Sequence, residues 1–375
     1  MGSWAGRIRS IKRTAGLAVF GTAVGFILLE ILSRVLLPAG SPLERIYPAD
    51  AVRAPQPYTM FGGRPGGRLT QPPGTPERLN GRGYRGAEPA PAKPAGEFRI
   101  FVVGGSTVFE GDPPLPVLLE AQLHDRGLSD VRCYNYGVIS SVSGQELARI
   151  VFEVADLDPD LVVMFNGGND LTSPVQYDPR PGYPFNFIAY ETNPLLRRDV
   201  SAYPTWTLLA YGSNALRALA PGVFTERFVG LDQARHEAGY LSPEWRDRIA
   251  AVYVGNLVKA QRISRAFGAD FMAFFQPLIF FKPALGPGER EIVAPLEGFG
   301  KMARDLRLRV RLEWKRAQRQ GLVVHDLSDI FDTIDEDVFY DIIHVTRPGK
   351  EILARSMAEH VAAQITRPDG QAPGG

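Results

Sequence analysis

The sequence predicts a three-layer α/β/α domain around a mainly parallel five-stranded sheet, with one transmembrane helix in front of it. Short apolar runs alternate with longer helical patterns after residue 98, and glycines closely follow several of the runs. Strands that alternate with helices in this way form a parallel sheet with helices on both faces. An uncharged apolar segment near the amino terminus predicts the membrane helix.

The predicted elements follow one another regularly along the second part of the chain. Short apolar runs predict strands over 98–103, 131–136, 161–165, 270–275 and 322–326. Helical spacing of apolar residues predicts helices over 114–126, 144–157, 246–267, 299–319 and 348–365. We therefore expect the folded domain to cover 98–366, followed by a disordered tail over 367–375.

Length, charge and cysteine content limit the classes of function. With 375 residues and 45% hydrophobic content, the chain can bury a full core. A net charge of +1 gives no reason to expect nucleic acid as a partner. The single cysteine, Cys133, excludes an intramolecular disulfide and a cysteine-based metal site. Because His124, His236 and His360 lack the spacing of metal ligands, we expect neither a metal nor another cofactor.

The first forty residues carry a targeting signal. Basic residues within the segment 1–13 precede an uncharged run over 14–29, and apolar residues resume after Glu30 and Arg34. The segment 14–37 reaches the roughly 20 residues of a spanning helix if Glu30 and Arg34 lie near the far interface. Because basic flanks stay in the cytoplasm, we expect 1–13 to be cytoplasmic. The rest of the chain would then lie on the periplasmic side of a bacterial inner membrane.

Two alternatives concern this segment. A cleaved signal peptide also begins with basic residues and a short apolar run, although no clear cleavage site follows here. Gly21 and Gly25 form a small-xxx-small pair, which can pack two membrane helices into a homodimer.

Residues 38–97 have the composition of a tether. Twelve prolines and ten glycines fall in these sixty positions, more than a folded core usually carries. Tyr58, Met60, Phe61 and Tyr84 are more apolar than a spacer needs. We therefore expect part of the tether to dock on the domain, with the segment LNGRGYRG over 79–86 as the best candidate.

Four short clusters supply the chemistry of a serine esterase. A serine hydroxyl needs a base to remove its proton, and a carboxylate beside the base fixes its tautomer. The oxyanion that forms during attack needs hydrogen-bond donors aimed at it. The clusters that supply these parts, in chain order, are Gly104-Gly105-Ser106-Thr107, Gly137, Gly167-Gly168-Asn169-Asp170 and Asp341-Ile342-Ile343-His344.

The predicted sheet gives these clusters a common place. Ser106, Gly137 and Asn169 each lie at or just after the carboxyl end of a predicted strand, and this edge is where parallel sheets bind ligands. Ser106 is the expected nucleophile, and His344 with Asp341 is the expected base. The oxyanion hole is expected to consist of the Ser106 and Gly137 backbone N–H groups and the Asn169 amide. His325, at the end of the last predicted strand, is a rival base.

The clusters resemble those of the SGNH, or GDSL-type, hydrolase superfamily over roughly residues 98–365. By position, Ser106, Gly137, Asn169 and His344 match the four residues that give the family its name, and the segment DIIHVTRPG over 341–349 is similar to its last block. The resemblance implies a flavodoxin-like sheet and esterase activity. Gly105 departs from the family's usual Gly-Asp-Ser. The tethered start and the segment LNGRGYRG resemble a membrane-anchored bacterial branch of the superfamily, in which Gly-Gly-Ser-Thr forms the first block.

The expected activity is hydrolysis of an acyl ester on an envelope glycan or lipid through an acyl-serine intermediate. Two alternatives stay open: an O-acyltransferase that passes the acyl group to a sugar hydroxyl, and a non-catalytic envelope subunit that binds or scaffolds. Two insertions are candidates for substrate contacts. Residues 171–204 are rich in aromatic residues and can form a lid or wall, and residues 276–288 can form the opposite wall; satellite packing over the sheet is the alternative for both.

Overall fold

The computed structural model describes residues 2–36, 52–69, 78–185, 187–191, 212–219 and 230–366. Two compact units divide the chain. One consists of Met1–Pro48 and Ile188–Asp232, and the other of Ala49–Phe187 and Gln233–Gly375. The expected tail over 367–375, the start of the tether over 38–51 and most of the insertion beyond residue 191 lie outside the described residues.

The second unit is built around a five-stranded parallel sheet. This sheet confirms the predicted fold class. A separate hairpin pairs β1 (Arg53–Gln56) with β2 (Met60–Gly63), and the strands of the sheet are β3 (Phe98–Gly104), β4 (Val131–Gly137), β5 (Leu161–Asn166), β6 (Asp270–Phe275) and β7 (Val324–Asp326). The sheet order is β4-β3-β5-β6-β7, and every neighbouring pair is parallel.

Helices fill the connections between the strands. In the sheet unit they span Ser106–Phe109, Leu115–His124, Ser143–Arg149, Gly168–Gln176, Pro243–Ala266, Pro287–Val293, Glu297–Gln318 and Arg347–Ile365. Three further described helices are Phe187–Glu191, Asn214–Leu219 and Leu231–Ala238. The crossover from β3 to β4 runs in the opposite direction to the later crossovers. Because such connections are right-handed, the helices cover both faces of the sheet.

The core consists of the central strands and the helices that cover them. Side chains along β3, β5 and β6 are almost fully buried, as expected for a parallel sheet covered on both faces. Helix Leu115–His124 packs against Arg347–Ile365, and Pro243–Ala266 packs against Glu297–Gln318. The strand order reverses between β3 and β5, so their carboxyl ends flank the crevice in which such sheets bind ligands.

Part of the expected tether belongs to the sheet unit. Phe61 and Tyr84 are fully buried, and the Tyr84 ring stacks on Tyr136 of β4 at 4.0 Å between centroids. The Tyr84 hydroxyl donates to a Glu153 carboxylate oxygen at 2.5 Å. Arg85, also buried, donates to the carbonyl oxygen of Gly111 at 2.6 Å. The segment 79–86 is therefore docked, and the compact unit begins well before residue 98.

The first unit contains the membrane-helix candidate. Helix Gly2–Leu36 includes one stretch, Lys12–Leu36, that is long and apolar enough to cross a membrane. Glu30 on this helix accepts hydrogen bonds from the backbone N–H groups of Asn214 at 2.8 Å and Ala215 at 3.1 Å, and from the Ser213 hydroxyl at 2.7 Å. Its carboxylate thereby caps the helix Asn214–Leu219, a role that the sequence did not indicate.

Candidate active site

Ser106 lies at a tight strand-to-helix turn. Strand β3 ends at Gly104, and Ser106 begins a single helical turn that ends at Phe109. A Cβ atom on Gly104 would lie 2.4 Å from the Phe165 carbonyl oxygen and 2.5 Å from Val108 Cγ2. Only glycine therefore allows the turn to pack so closely on β5. As the first helical residue, Ser106 has a backbone N–H without an intrahelical acceptor.

A short loop presents Asp341 and His344. The Asp341 Oδ1 atom accepts the backbone N–H groups of Ile343 at 2.8 Å and His344 at 2.7 Å, which fixes the turn. Its other oxygen, Oδ2, lies 2.6 Å from His344 Nδ1. The carboxylate therefore orients both the backbone of the loop and the imidazole ring.

The structure brings Ser106, His344 and Asp341 together. The Nε2 atom of His344 lies 2.6 Å from the Ser106 Oγ atom, although the two residues are 238 positions apart. Burial lowers the pKa of His344, but the Asp341 hydrogen bond and the charge of Glu110 outweigh it and raise that pKa above 6.5. Burial raises the pKa of Asp341, and the hydrogen bonds from the His344 ring and the loop backbone lower it by more. Asp341 is thus held ionised beside the imidazole.

Asn169 lies beside the nucleophile turn. It belongs to the helix Gly168–Gln176, which begins directly after β5. One N–H of its side-chain amide donates to the Ser141 carbonyl oxygen at 2.8 Å, which fixes the amide plane. Because the amide carries two N–H bonds, the second one remains for a ligand.

Gly137 does not supply the donor that the sequence predicts. Its backbone N–H donates to the side-chain oxygen of Asn135 at 2.9 Å, inside the protein. A Cβ atom there would lie 2.6 Å from the Phe109 backbone nitrogen and 2.9 Å from Val108 Cβ. Gly137 therefore allows the nucleophile helix to pack on β4, and we correct its expected place in the oxyanion hole.

Ser140 is at the cleft instead. It lines the same cleft as Ser106, Asn169 and His344. Its φ of +64° lies in the left-handed region, which is uncommon for a residue with a side chain. The adjacent carbonyl group, that of Ser141, accepts the Asn169 amide. Sequence analysis does not predict this turn, because serine does not mark a left-handed position as glycine does.

Glycines in the third cluster allow the close approach of Asn169. Gly167 has a φ of +105°, and a Cβ atom there would lie 2.4 Å from the Phe275 ring. At Gly168 a Cβ atom would lie 2.5 Å from both Gln276 Nε2 and Ile343 Cδ1. The second contact would press on the loop that carries His344. The two glycines therefore allow the end of β5 to pack closely against β6 and the histidine loop.

A buried pair of carboxyl groups lies behind the site. Asp170 accepts the backbone N–H of Ser143 at 3.1 Å and its hydroxyl at 2.5 Å. Glu146 accepts the Asn166 side-chain amide at 2.5 Å. Burial raises the pKa of Glu146 to about 8, with the Asp170 charge as the next cause, and burial raises that of Asp170 to about 6. The pair braces the start of the helix that follows the Ser140 turn.

The segment 276–288 supports the histidine loop from below. The backbone N–H of Ile279 donates to the Ile342 carbonyl oxygen at 3.2 Å. Lys282 and Glu289 form a buried ion pair at 2.5 Å, and a Glu289 carboxylate oxygen accepts the backbone N–H groups of Val338 and Phe339. No residue of 276–288 is among those that line the cleft. The segment therefore contacts the histidine loop and does not form the expected opposite wall.

An open cleft lies in front of Ser106. Tyr177 and Phe185, from the insertion expected over 171–204, line this cleft. Most of that insertion beyond residue 191 lies outside the described residues. The complete lining consists of Ser106, Glu110, Ile139, Ser140, Asn169, Thr172, Ser173, Gln176, Tyr177, Phe185, Ile342, Ile343 and His344. Hydroxyl, amide and aromatic groups together suit a ligand with both polar and apolar surface.

His325, the rival base, lies elsewhere. Its ring stacks on His360 at 3.9 Å and on Phe274 at 5.2 Å between centroids. It is not among the cleft residues. The loop histidine, His344, is the one that meets the serine.

Comparisons with known proteins give similarities to solved structures. A lipase/acylhydrolase from Enterococcus faecalis is 15% identical, with 73% of this chain and all of that chain covered and a TM-score of 0.40. A catalytic mutant of an acetylxylan esterase from Geobacillus stearothermophilus is 12% identical, with 70% and 94% covered and a TM-score of 0.40. A GDSL-like lipase from Bacteroides thetaiotaomicron is 12% identical, with 71% and 88% covered and a TM-score of 0.37.

No family model matches the chain, and no curated protein matches it significantly. The function is therefore argued from the residues of the chain itself.

Proposed function

We propose that this protein is a membrane-anchored serine esterase that hydrolyses an acyl ester through an acyl-serine intermediate. The observation that carries the proposal is the pair of 2.6 Å contacts that link Asp341, His344 and Ser106 beside an open cleft. In this arrangement the base removes the serine proton during attack, and the carboxylate stabilises the imidazolium that results.

The first half-reaction forms the acyl-enzyme. His344 Nε2 accepts the proton as Ser106 Oγ attacks the ester carbonyl carbon. The tetrahedral intermediate then collapses as the same nitrogen returns the proton to the leaving alcohol. In the second half-reaction, His344 activates a water molecule, which attacks the acyl-serine and releases the acid.

Three donors are proposed for the oxyanion. They are the backbone N–H of Ser106, the backbone N–H of Ser140 and the second N–H of the Asn169 amide. The support is that Ser106, Ser140 and Asn169 line one cleft, and that the Ser141 carbonyl oxygen holds the amide in place. Removing one such donor typically costs about 3 to 4 kcal/mol of transition-state stabilisation.

The proposed substrate is an acyl group carried by a glycan or lipid of the cell envelope. The polar side chains Thr172, Ser173 and Gln176 beside the aromatic rings of Tyr177 and Phe185 support a substrate with hydroxyl groups. The apolar helix Lys12–Leu36 supports an anchor in the inner membrane. The basic residues before it support a periplasmic site for the esterase unit.

Turnover of p-nitrophenyl acetate by the full-length protein in detergent tests this proposal. Wild-type protein is expected to release p-nitrophenol, and Ser106→Ala and His344→Ala are expected to lose at least about 10³-fold in kcat. His325→Ala is the matched histidine control and is expected to retain activity. Wild-type protein without turnover would point to a non-catalytic envelope subunit instead. Acyl transfer to an added sugar in preference to water would indicate an acyltransferase.

A further inference from the structure

Glu110 is a carboxylate in the cleft that the esterase mechanism does not use. It comes one helical turn after the nucleophile, and its backbone N–H donates to the Ser106 carbonyl oxygen at 2.7 Å. Its Oε2 atom lies 3.8 Å from His344 Nε2, the nitrogen that contacts Ser106. The side chain is about one-third exposed and lines the cleft.

The backbone that carries Glu110 is held in place by two buried cations. Lys350 Nζ donates to the Glu110 carbonyl oxygen at 2.7 Å. Arg85 donates to the carbonyl oxygens of Phe109 at 3.1 Å and Gly111 at 2.6 Å. Both cations are at most 5% exposed. Arg85 of the docked segment 79–86 and Lys350 thus hold the backbone at and around Glu110.

The carboxylate itself keeps acceptor capacity towards the cleft. The Tyr340 ring lies parallel to the His344 ring at 5.7 Å between centroids. In the part of the chain that the structure describes, no arginine or lysine forms an ion pair with Glu110. An ionised carboxylate has about four acceptor positions and no donor. It can therefore accept further hydrogen bonds from a ligand.

The position of Glu110 identifies the part of the substrate that it meets. The leaving oxygen must come within about 3 Å of His344 Nε2 to receive its proton. Since Glu110 Oε2 lies 3.8 Å from the same nitrogen, the group next to the leaving oxygen adjoins the carboxylate. A hydroxyl on that group can donate a hydrogen bond to the Glu110 carboxylate. An alkyl group would remove water from the carboxylate without replacing the lost hydrogen bonds, and an anion would be repelled by its charge.

On this basis, and resting on the esterase activity proposed above, we propose that Glu110 is a specificity residue that selects esters whose leaving alcohol carries a neighbouring hydroxyl group. The substrate class is thus an acylated polyol or sugar rather than an ester of a simple or anionic alcohol. Acyl chain length is set elsewhere, because Glu110 meets the alcohol side of the ester.

Three acetate esters with the same acyl group test the proposal. They are glycerol monoacetate, with hydroxyl groups on the alcohol; ethyl acetate, with none; and O-acetylglycolate, with an anion. The full-length protein in detergent is expected to show at least about tenfold higher kcat/KM for glycerol monoacetate than for ethyl acetate, the range of one charge-assisted hydrogen bond. O-acetylglycolate is expected to be the poorest substrate.

Two variants separate specificity from folding. Glu110→Ala is expected to reduce the preference for glycerol monoacetate over ethyl acetate to about threefold or less, mainly through a higher KM for glycerol monoacetate. A loss of this size is typical of removing a single charge-assisted hydrogen bond. Glu110→Gln is expected to improve O-acetylglycolate relative to ethyl acetate, because the repulsion is gone. Since the Glu110 charge helps to raise the pKa of His344, the same variant should move the acid limb of the pH profile to lower pH. Glu313→Gln, on the helix Glu297–Gln318, is the matched control and should keep the wild-type preference.

The outcomes distinguish this inference from the esterase proposal. Wild-type protein that hydrolyses neither p-nitrophenyl acetate nor any of the three esters overturns both, and one that hydrolyses only p-nitrophenyl acetate overturns the role of Glu110 alone. Wild-type protein that hydrolyses glycerol monoacetate and ethyl acetate equally well overturns only the role of Glu110. An equal loss on all three esters in Glu110→Ala and Glu110→Gln, with an unchanged acid limb, would mean that Glu110 is structural and would also overturn it.

Discussion

A Cβ atom on Gly105 would lie 2.7 Å from the side-chain nitrogen of Asn169. Gly105, directly before the nucleophile, therefore packs so closely against the Asn169 side chain that no larger residue fits without displacing it. The Asn169 amide is already tied to the Ser141 carbonyl oxygen, so it cannot move away from a new side chain without losing that bond. This contact is a physical reason for glycine at position 105.

Replacing Gly105 is expected to damage catalysis without unfolding the protein. In Gly105→Ala the new methyl group displaces the Asn169 amide, a proposed oxyanion donor. We therefore expect kcat to fall by about 10- to 100-fold, less than for complete loss of a donor. KM should change little, because the donor acts mainly in the transition state. Steady-state kinetics with p-nitrophenyl acetate measure both constants.

The matched control for that variant is Gly255→Ala. A Cβ atom on Gly255, in the helix Pro243–Ala266, meets no described atom within 4 Å. This control is expected to keep the wild-type kcat and to gain slightly in stability, because alanine favours a helix more than glycine does. A Gly105→Ala variant with the same kcat as Gly255→Ala would remove Asn169 from the proposed oxyanion hole.

The pH dependence of kcat/KM should show an acid limb with a midpoint above pH 6.5. Only the neutral imidazole of His344 can accept the Ser106 proton, and its pKa is raised above 6.5 because Asp341 and Glu110 outweigh burial. As pH falls through that pKa, the imidazole becomes protonated and activity is lost. Initial rates from about pH 5 to about pH 9 measure the limb.

Asp341→Asn provides the matching variant. Asparagine removes the charge that stabilises the imidazolium, so the acid limb should move to lower pH while kcat falls on the order of 10³- to 10⁴-fold. A rate that is independent of pH over the same range in the wild type would contradict His344 as the base.

Glu146 should make the stability of the sheet unit depend on pH. Its folded-state pKa is raised from 4.5 to about 8, chiefly by burial. A raised pKa contributes stability that is complete below the unfolded value and is lost as pH rises through the folded value. Glutamine cannot ionise, so the Tm of Glu146→Gln minus that of the wild type should increase between about pH 4.5 and about pH 8. Thermal unfolding followed by circular dichroism measures this difference, and a constant difference would contradict the burial of an ionisable pair.

Glu30 should protect the start of the helix Asn214–Leu219 from hydrogen exchange. Its carboxylate accepts the backbone N–H groups of Asn214 and Ala215. Because losing a cap costs roughly 1 kcal/mol, Glu30→Ala should speed exchange at these amides about fivefold. Glu30→Gln keeps one acceptor oxygen, so its exchange rates at these amides should lie between those of the wild type and those of Glu30→Ala. Exchange measured on the protein in detergent would contradict the capping role if Glu30→Ala and wild type were equal.

The sheet was predictable because its strands are short apolar runs. Strand β6 has the predicted bounds, and β3, β4 and β5 extend one residue further than expected. Strand β7 is two residues shorter, since Leu322 and Val323 lie before the pairing with β6 begins at Val324. The hairpin of β1 and β2 was not predicted, because four-residue strands rich in proline and glycine have no alternating pattern.

The meeting of Ser106 and Asn169 followed from the carboxyl-edge rule for parallel sheets. The approach of His344 did not follow from that rule, because the loop over 341–344 comes before the last helix and not directly after a strand of the sheet. The partners of individual hydrogen bonds could not be predicted in this way. Gly137 has the right position in the sequence, but whether its N–H is free depends on the side chain of Asn135. Likewise, the buried contact of Glu146 with Asn166 joins residues from two elements, and no local pattern indicates it.

Intact-protein mass spectrometry after reaction with a fluorophosphonate tests the central proposal most directly. The wild-type protein is expected to gain one phosphonyl group, and peptide mapping should place it on Ser106, because His344 activates that hydroxyl. Ser106→Ala and His344→Ala should stay unmodified under the same conditions. An unmodified wild type, or an adduct that persists in Ser106→Ala, would contradict Ser106 as the nucleophile.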